Sequence, residues 1–117
     1  MSGSNELRTT ILLLVISFIG FYSGVKAVQM GSAELGIQVA AQICAECHSI
    51  SAEGSLSPNN NAPAFKEIAN TPGMSAQALY VWLRSPHPTM PNLKLEIQNE
   101  EDVIAYILSL KDKNRCL

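Results

Sequence analysis

The chain has 117 residues, of which 47% are hydrophobic and 15% charged, and this composition suits one small globular domain. A domain this short buries little apolar surface on its own, so a bound cofactor would add to its core. The formal net charge of −2 excludes the basic surface that nucleic-acid binding requires.

The first 27 residues differ in composition from the rest. Their apolar run, Ile11–Tyr22, has the length of a signal-peptide core and is short for a membrane span. We interpret residues 1–27 as a signal peptide that is cleaved after Ala27. The alternative is an uncleaved membrane anchor, with a tether through residues 9–25. Both interpretations predict that the domain, residues 28–117, is periplasmic or otherwise exported.

The first helix of the domain is predicted from Ser32 to about Cys44. Ser32 is a favourable N-cap residue. Three apolar residues spaced by four make one apolar stripe on this helix: Leu35, Val39 and Ile43. Gly36 and Ala40 are also four apart, and they form a small-residue face that a second helix can approach closely.

The rest of the domain is predicted as helices joined by loops rich in turn residues. Residues 51–63 hold too many Ser, Asn, Gly and Pro for a periodic element, and residues 64–70 suit a short helix. Ser75 can cap a third helix, which ends near Ser85, before Pro86. The last helix is predicted to begin at Asn99, with acidic residues in its first turn and a buried stripe of Val103, Tyr106, Ile107 and Leu110. No segment shows the alternation of a β strand.

The residues with the clearest chemistry are Cys44-Ala45-Glu46-Cys47-His48. Two thiols at this spacing can each add to one vinyl group of a haem, which gives two thioether bonds. The histidine directly after the second cysteine then lies beneath the iron as the proximal ligand. The motif predicts one covalently bound haem c, with its iron.

Two other uses of a Cys-x-x-Cys pair fit this sequence less well. A thiol–disulfide redox pair expects a strand before it and a βαβ context, whereas here a helix precedes the pair. A zinc site requires a second pair of ligands at similar spacing, and the sequence has none.

A haem iron in an electron carrier needs a sixth ligand, for which the candidates are Met30, Met74, Met90 and His87. Met74 precedes the cap Ser75, where an apolar residue commonly packs onto the first turn. Met90 follows Pro88 and precedes Pro91, so its loop is stiff and holds a thioether with little entropy left to lose. We therefore predict Met90 as the ligand, with His87 as the alternative.

These residues resemble the class I monohaem cytochrome c family over about residues 32–111. The matching features occur in the family's order: a helix with Gly36, the Cys-x-x-Cys-His motif, the Met90-Pro91 loop, and a last helix with Glu101-Asp102-Val103-Ile104-Ala105-Tyr106. The resemblance implies a small all-α cytochrome c-like fold packed around one haem. It also implies an electron transport protein with His48 and Met90 as its metal-binding residues.

The resemblance further implies roles for single residues. In the family the first and last helices cross closely, so Gly36 would meet the Val103 and Tyr106 face. A proline carbonyl accepts a hydrogen bond from the proximal histidine, and Pro63 matches that position. Trp82 and Tyr80 would pack on the haem or reach a propionate, or else pack in the ordinary core.

Nothing else in the sequence resembles a catalytic site, so we interpret the chain as an electron carrier and not an enzyme. The alternative is a haem c subunit of a larger periplasmic oxidoreductase complex. Its partners would be redox proteins, an electron donor and an acceptor, which the sequence does not name. Cys116 is left without a thiol partner and could form a disulfide to a second chain.

Overall fold

The computed structural model describes residues 31–113, so the predictions for residues 1–30 and for Cys116 lie outside the described residues. The described part holds four helices: α1 (Ala33–Ile43), α2 (Phe65–Asn70), α3 (Ala76–Arg84) and α4 (Ile97–Ser109). It contains no β strand, only an isolated bridge between His87 and Met90. The predicted all-α fold is confirmed. No helix within residues 31–113 is long and apolar enough to cross a membrane.

Serine hydroxyls cap the N-termini of two of the helices, as predicted. Ser32 Oγ accepts a hydrogen bond from the backbone N–H of Leu35 at 3.3 Å, and Ser75 Oγ accepts one from Ala78 at 3.2 Å. Each satisfies an N–H group that the first helical turn would otherwise leave unpaired. The local sequence therefore determines where α1 and α3 start.

The most extensive helix contact is the crossing of α1 and α4, which is closest at Gly36. A Cβ atom placed on Gly36 would overlap the carbonyl group of Asp102 and would lie 2.8 Å from Tyr106 Cβ. The crossing that the family resemblance implied is confirmed, with the Asp102 backbone nearer to Gly36 than Val103 is. Gly31 makes a similar approach to the backbone of Glu101 and Asp102, which the sequence did not indicate.

The predicted apolar stripe of α1 is not the face that packs on α4. Gly36, Ala40 and Cys44 are buried, whereas Leu35 is 50% and Ile43 39% exposed. Periodicity cannot separate these faces, because both sets recur every four residues. Small side chains face α4 because only they allow the two backbones to approach so closely.

Helix α4 begins at Ile97, two residues before the predicted Asn99, and its N-cap Glu96 makes no side-chain capping bond. Two of its acidic residues are buried and not solvated. Asp102 accepts from the backbone N–H of Ser32 at 2.6 Å, and Glu100 forms a bidentate pair with Arg84 of α3 at 2.8–3.1 Å. These long-range partners, not the helix dipole alone, account for the acidic start of α4.

Substitution of Gly36 by Ala distinguishes the effect of close packing on stability from the effect of helix propensity. In a helix without tertiary contacts, Gly→Ala stabilises by about 1 kcal/mol. At Gly36 the new methyl group meets backbone atoms that cannot rotate away, and overpacking of this kind costs roughly 1–3 kcal/mol. We expect Gly36→Ala to lower the free energy of unfolding of the haem-loaded protein in a denaturant titration.

Gln38→Ala is the matched control, since Gln38 is exposed on the same helix and its substitution should change stability little. An increase in stability for Gly36→Ala would contradict the close crossing.

Candidate haem site

The Cys-x-x-Cys-His motif forms one hydrogen-bonded turn at the carboxyl end of α1. Cys44 is the C-cap of α1, and its carbonyl oxygen accepts from the backbone N–H groups of Cys47 at 3.1 Å and His48 at 2.9 Å. Neither cysteine forms a disulfide within residues 31–113. The turn brings two thiols and one imidazole together, as the covalent attachment of a haem requires.

The two thiols differ in their surroundings. Cys44 is buried in the core and Cys47 is half-buried. Burial removes solvation from the thiolate and raises the pKa of the Cys44 thiol to about 11. A thiol that stays protonated at neutral pH is a poor metal ligand and a poor redox nucleophile. This environment fits an uncharged thioether better than either alternative use of the pair.

The imidazole of His48 is oriented by a backbone carbonyl. His48 Nδ1 lies 2.7 Å from the carbonyl oxygen of Pro63, which can only accept, so Nδ1 carries the proton and donates it. The neutral ring therefore keeps its lone pair on Nε2, the atom that can bind a metal. The Phe65 ring packs against the His48 ring at 5.5 Å between centroids and further restrains its orientation.

The loop after the motif folds back and holds Pro63 in place. Asn59 N–H donates to the Cys47 carbonyl at 3.1 Å, and Phe65 N–H donates to the Ser49 carbonyl at 2.9 Å. Tyr106 of α4 donates its hydroxyl to the Ile50 carbonyl at 2.6 Å. The sequence marked this segment only as loop, because these bonds join residues far apart along the chain.

Serine hydroxyls support the same loop, and the sequence pattern did not predict them. Ser49 is buried; its N–H donates to Ser57 Oγ, and its hydroxyl pairs with that of Ser55, each at 2.9 Å. Ser51 also pairs with Ser55 at 2.9 Å. The only available signal was the high serine content between residues 49 and 57, which is equally typical of a solvated turn.

The second group of predicted site residues lies between α3 and α4. Met90 N–H donates to the His87 carbonyl at 3.2 Å and closes a tight turn. His87 Nε2 lies 3.0 Å from Met90 Sδ, and the Trp82 ring packs edge-on against the His87 ring at 5.5 Å. Trp82 is 55% exposed, so it is not an ordinary core residue.

The other sulfur candidates are less suitable. Met74 packs against the core, as its position before the Ser75 cap predicted. Met30 lies outside the described residues. Of the two described methionines, only Met90 lies near a second potential ligand, the imidazole of His87.

A cavity of about 350 Å³ lies beside the segment after Met90. Leu83 and Leu95 line it, and the Arg84–Glu100 ion pair borders it. None of Cys44, Cys47, His48 or Met90 lines this cavity, so it is not the site that those residues form.

The acidic and ligating side chains of residues 31–113 do not form a separate metal site. Within residues 31–113, no three His, Cys, Asp or Glu side chains cluster in a way that could hold a metal ion. The zinc alternative has no further ligands in this part of the chain.

Comparison with known proteins supports one family. The family model for cytochrome c matches residues 33–111, which is more than half of the chain and includes α1, the Cys44 turn, the Met90 loop and α4. No curated protein and no solved structure matches significantly. The chain belongs to the cytochrome c family and is a haem-based electron transfer protein, whose single haem c, with its iron, is bound covalently.

Proposed function

We propose that this chain is a one-electron carrier in which Cys44 and Cys47 attach the haem and His48 and Met90 are the axial ligands of its iron. The haem iron supplies the redox chemistry by changing between the ferrous and ferric states. The observation that carries the proposal is the 2.7 Å contact between His48 Nδ1 and the Pro63 carbonyl. A metal-binding histidine characteristically donates its other ring N–H to such an acceptor.

The Pro63 carbonyl does two things for His48. It fixes the tautomer, so that Nε2 is the donor atom, and it makes the imidazole a stronger base. Because the carbonyl belongs to a loop held by Tyr106 and Ser49, the ring is oriented before the cofactor is attached. An oriented ligand has little conformational freedom left to lose on binding.

Met90 complements His48 as a soft, neutral sulfur ligand. Thioether sulfur favours ferrous iron, so a His/Met pair raises the reduction potential relative to two nitrogen ligands. The prolines at 86, 88 and 91 stiffen the chain around Met90, since each fixes a backbone φ angle. With both axial positions filled by protein, no position remains for a substrate, which favours a carrier over an enzyme.

The cellular location and the partners of this carrier are inferred from the sequence. We propose that the domain is exported, with residues 1–27 as a signal peptide or as an anchor, and that its partners are redox proteins. The alternative is a haem c subunit of a larger oxidoreductase complex. A soluble monomer after purification supports the carrier, whereas stable co-purification with a second protein supports the subunit.

Covalent attachment predicts that haem stays with the polypeptide. After acid denaturation and extraction with an organic solvent, we expect the haem absorbance to remain with the protein. Cys44→Ala and Cys47→Ala should each leave one thioether bond or yield no haem-loaded protein. Cys116→Ser is the matched control, because this cysteine lies outside the motif and its loss should not change haem content. Extraction of the haem from the wild-type chain would contradict the attachment.

Ligation by Met90 predicts a spectroscopic and a redox change. We expect Met90→Ala to abolish the weak long-wavelength sulfur-to-iron band of the ferric protein and to lower the reduction potential, because the soft ligand is lost. Met74→Ala, at a methionine that packs on the core, should keep the band. If the band survives Met90→Ala and disappears in Met74→Ala, the ligand has been assigned to the wrong loop.

A further inference from the structure

We propose that His87 Nε2 is a second donor for the sixth position of the iron, and that it replaces Met90 Sδ when the thioether leaves or is absent. This inference rests on the proposed function, because it requires that Met90 be the sixth ligand. It adds that the site holds two donors and that the position is not left open when one of them is lost.

A backbone carbonyl orients the imidazole ring of His87. His87 Nδ1 lies 3.0 Å from the backbone carbonyl oxygen of Ser85. A carbonyl oxygen only accepts, so Nδ1 carries the proton, and the lone pair of the neutral ring is on Nε2. His48 has the same arrangement, with the Pro63 carbonyl as its acceptor. Both histidines are thus presented as Nε2 donors, each by a backbone carbonyl.

The position of His87 matches that of the sulfur. Its Nε2 lies 3.0 Å from Met90 Sδ, so the two donor atoms occupy adjacent positions and can reach one point in turn. A doubly protonated ring would donate its Nε2–H to the Met90 sulfur at this distance, whereas the neutral ring presents the Nε2 lone pair beside that sulfur.

The local backbone allows exchange without rearrangement. Residues 87–90 form a turn closed by the Met90 N–H bond to the His87 carbonyl, and prolines at 86, 88 and 91 restrict it. The Trp82 ring packs edge-on against His87 and limits where the imidazole can swing. Exchange of the two donors therefore needs side-chain rotation and not movement of the loop.

The exchange balances without another reactant. The bond from Met90 Sδ to the iron breaks and the bond from His87 Nε2 forms, so one neutral donor replaces another and neither a proton nor an electron is transferred. Imidazole is a harder ligand than a thioether, so it competes better for ferric than for ferrous iron. We expect oxidation to shift the balance toward His87 and reduction to shift it toward Met90.

Removing the sulfur tests the second donor. In the haem-loaded Met90→Ala protein, and in Met90→Leu, which keeps the side-chain volume, we expect ferric electron paramagnetic resonance to show a low-spin iron with two nitrogen axial ligands. The double variant Met90→Ala/His87→Ala should be high-spin. Because His87 occupies the position in the single variant, that protein should bind cyanide at least roughly tenfold more weakly than the double variant.

His87→Ala alone is the control that separates this inference from the proposed function. It should keep the long-wavelength sulfur-to-iron band, because Met90 still binds. If both Met90 variants are high-spin and bind cyanide as tightly as the double variant, His87 is not a donor, although Met90 stands as the ligand. If the band survives in the Met90 variants, the proposed ligation fails, and this inference fails with it.

Discussion

The close crossing of α1 and α4 at Gly36 is the constraint on which the rest of the structure depends. Helix α1 ends in the Cys44 turn. The angle at which α1 crosses α4, and the position of the crossing along α4, therefore determine where the two thiols and His48 lie. A side chain at Gly36 would separate the helices, since the Asp102 carbonyl occupies the space. Asp102 also accepts from the Ser32 N–H, which fixes the start of α1 against the same helix.

From that crossing, α4 reaches the rest of the site through polar contacts. The Tyr106 hydroxyl holds the Ile50 carbonyl, in the loop that carries Pro63 to His48. Glu100 pairs with Arg84 at the end of α3, just before the turn that carries His87 and Met90. A single helix thereby supports both the loop beside His48 and the helix that precedes the turn of Met90, the two residues proposed as ligands.

Local contacts restrain the segments that carry the two proposed ligands. The His48 ring contacts the Pro63 carbonyl and the Phe65 ring, and the backbone of Met90 is held in a turn. The proposed second donor, His87, lies beside Met90 in the same turn.

Local signals in the sequence were enough to predict much of this structure. The serine caps of α1 and α3 and the Cys44–His48 motif depend on residues adjacent in the chain, and each was found. The small-residue face of α1 was also predicted, although the Leu35 stripe has the same spacing by four and only the partner helix determines which of the two faces is buried. The partner of Asp102 is 70 residues away and that of Tyr106 is 56 away, so composition and spacing could not identify either.

The central claim is that this fold places His48 and Met90 as the two axial ligands of one haem iron. X-ray absorption at the iron edge of the reduced, haem-loaded protein tests it most directly, because it counts nitrogen and sulfur neighbours without altering any residue. The account predicts five nitrogen neighbours, four from the porphyrin and one from His48, together with one sulfur from Met90. A reduced iron with six nitrogen neighbours, or with five and no sulfur, would contradict it.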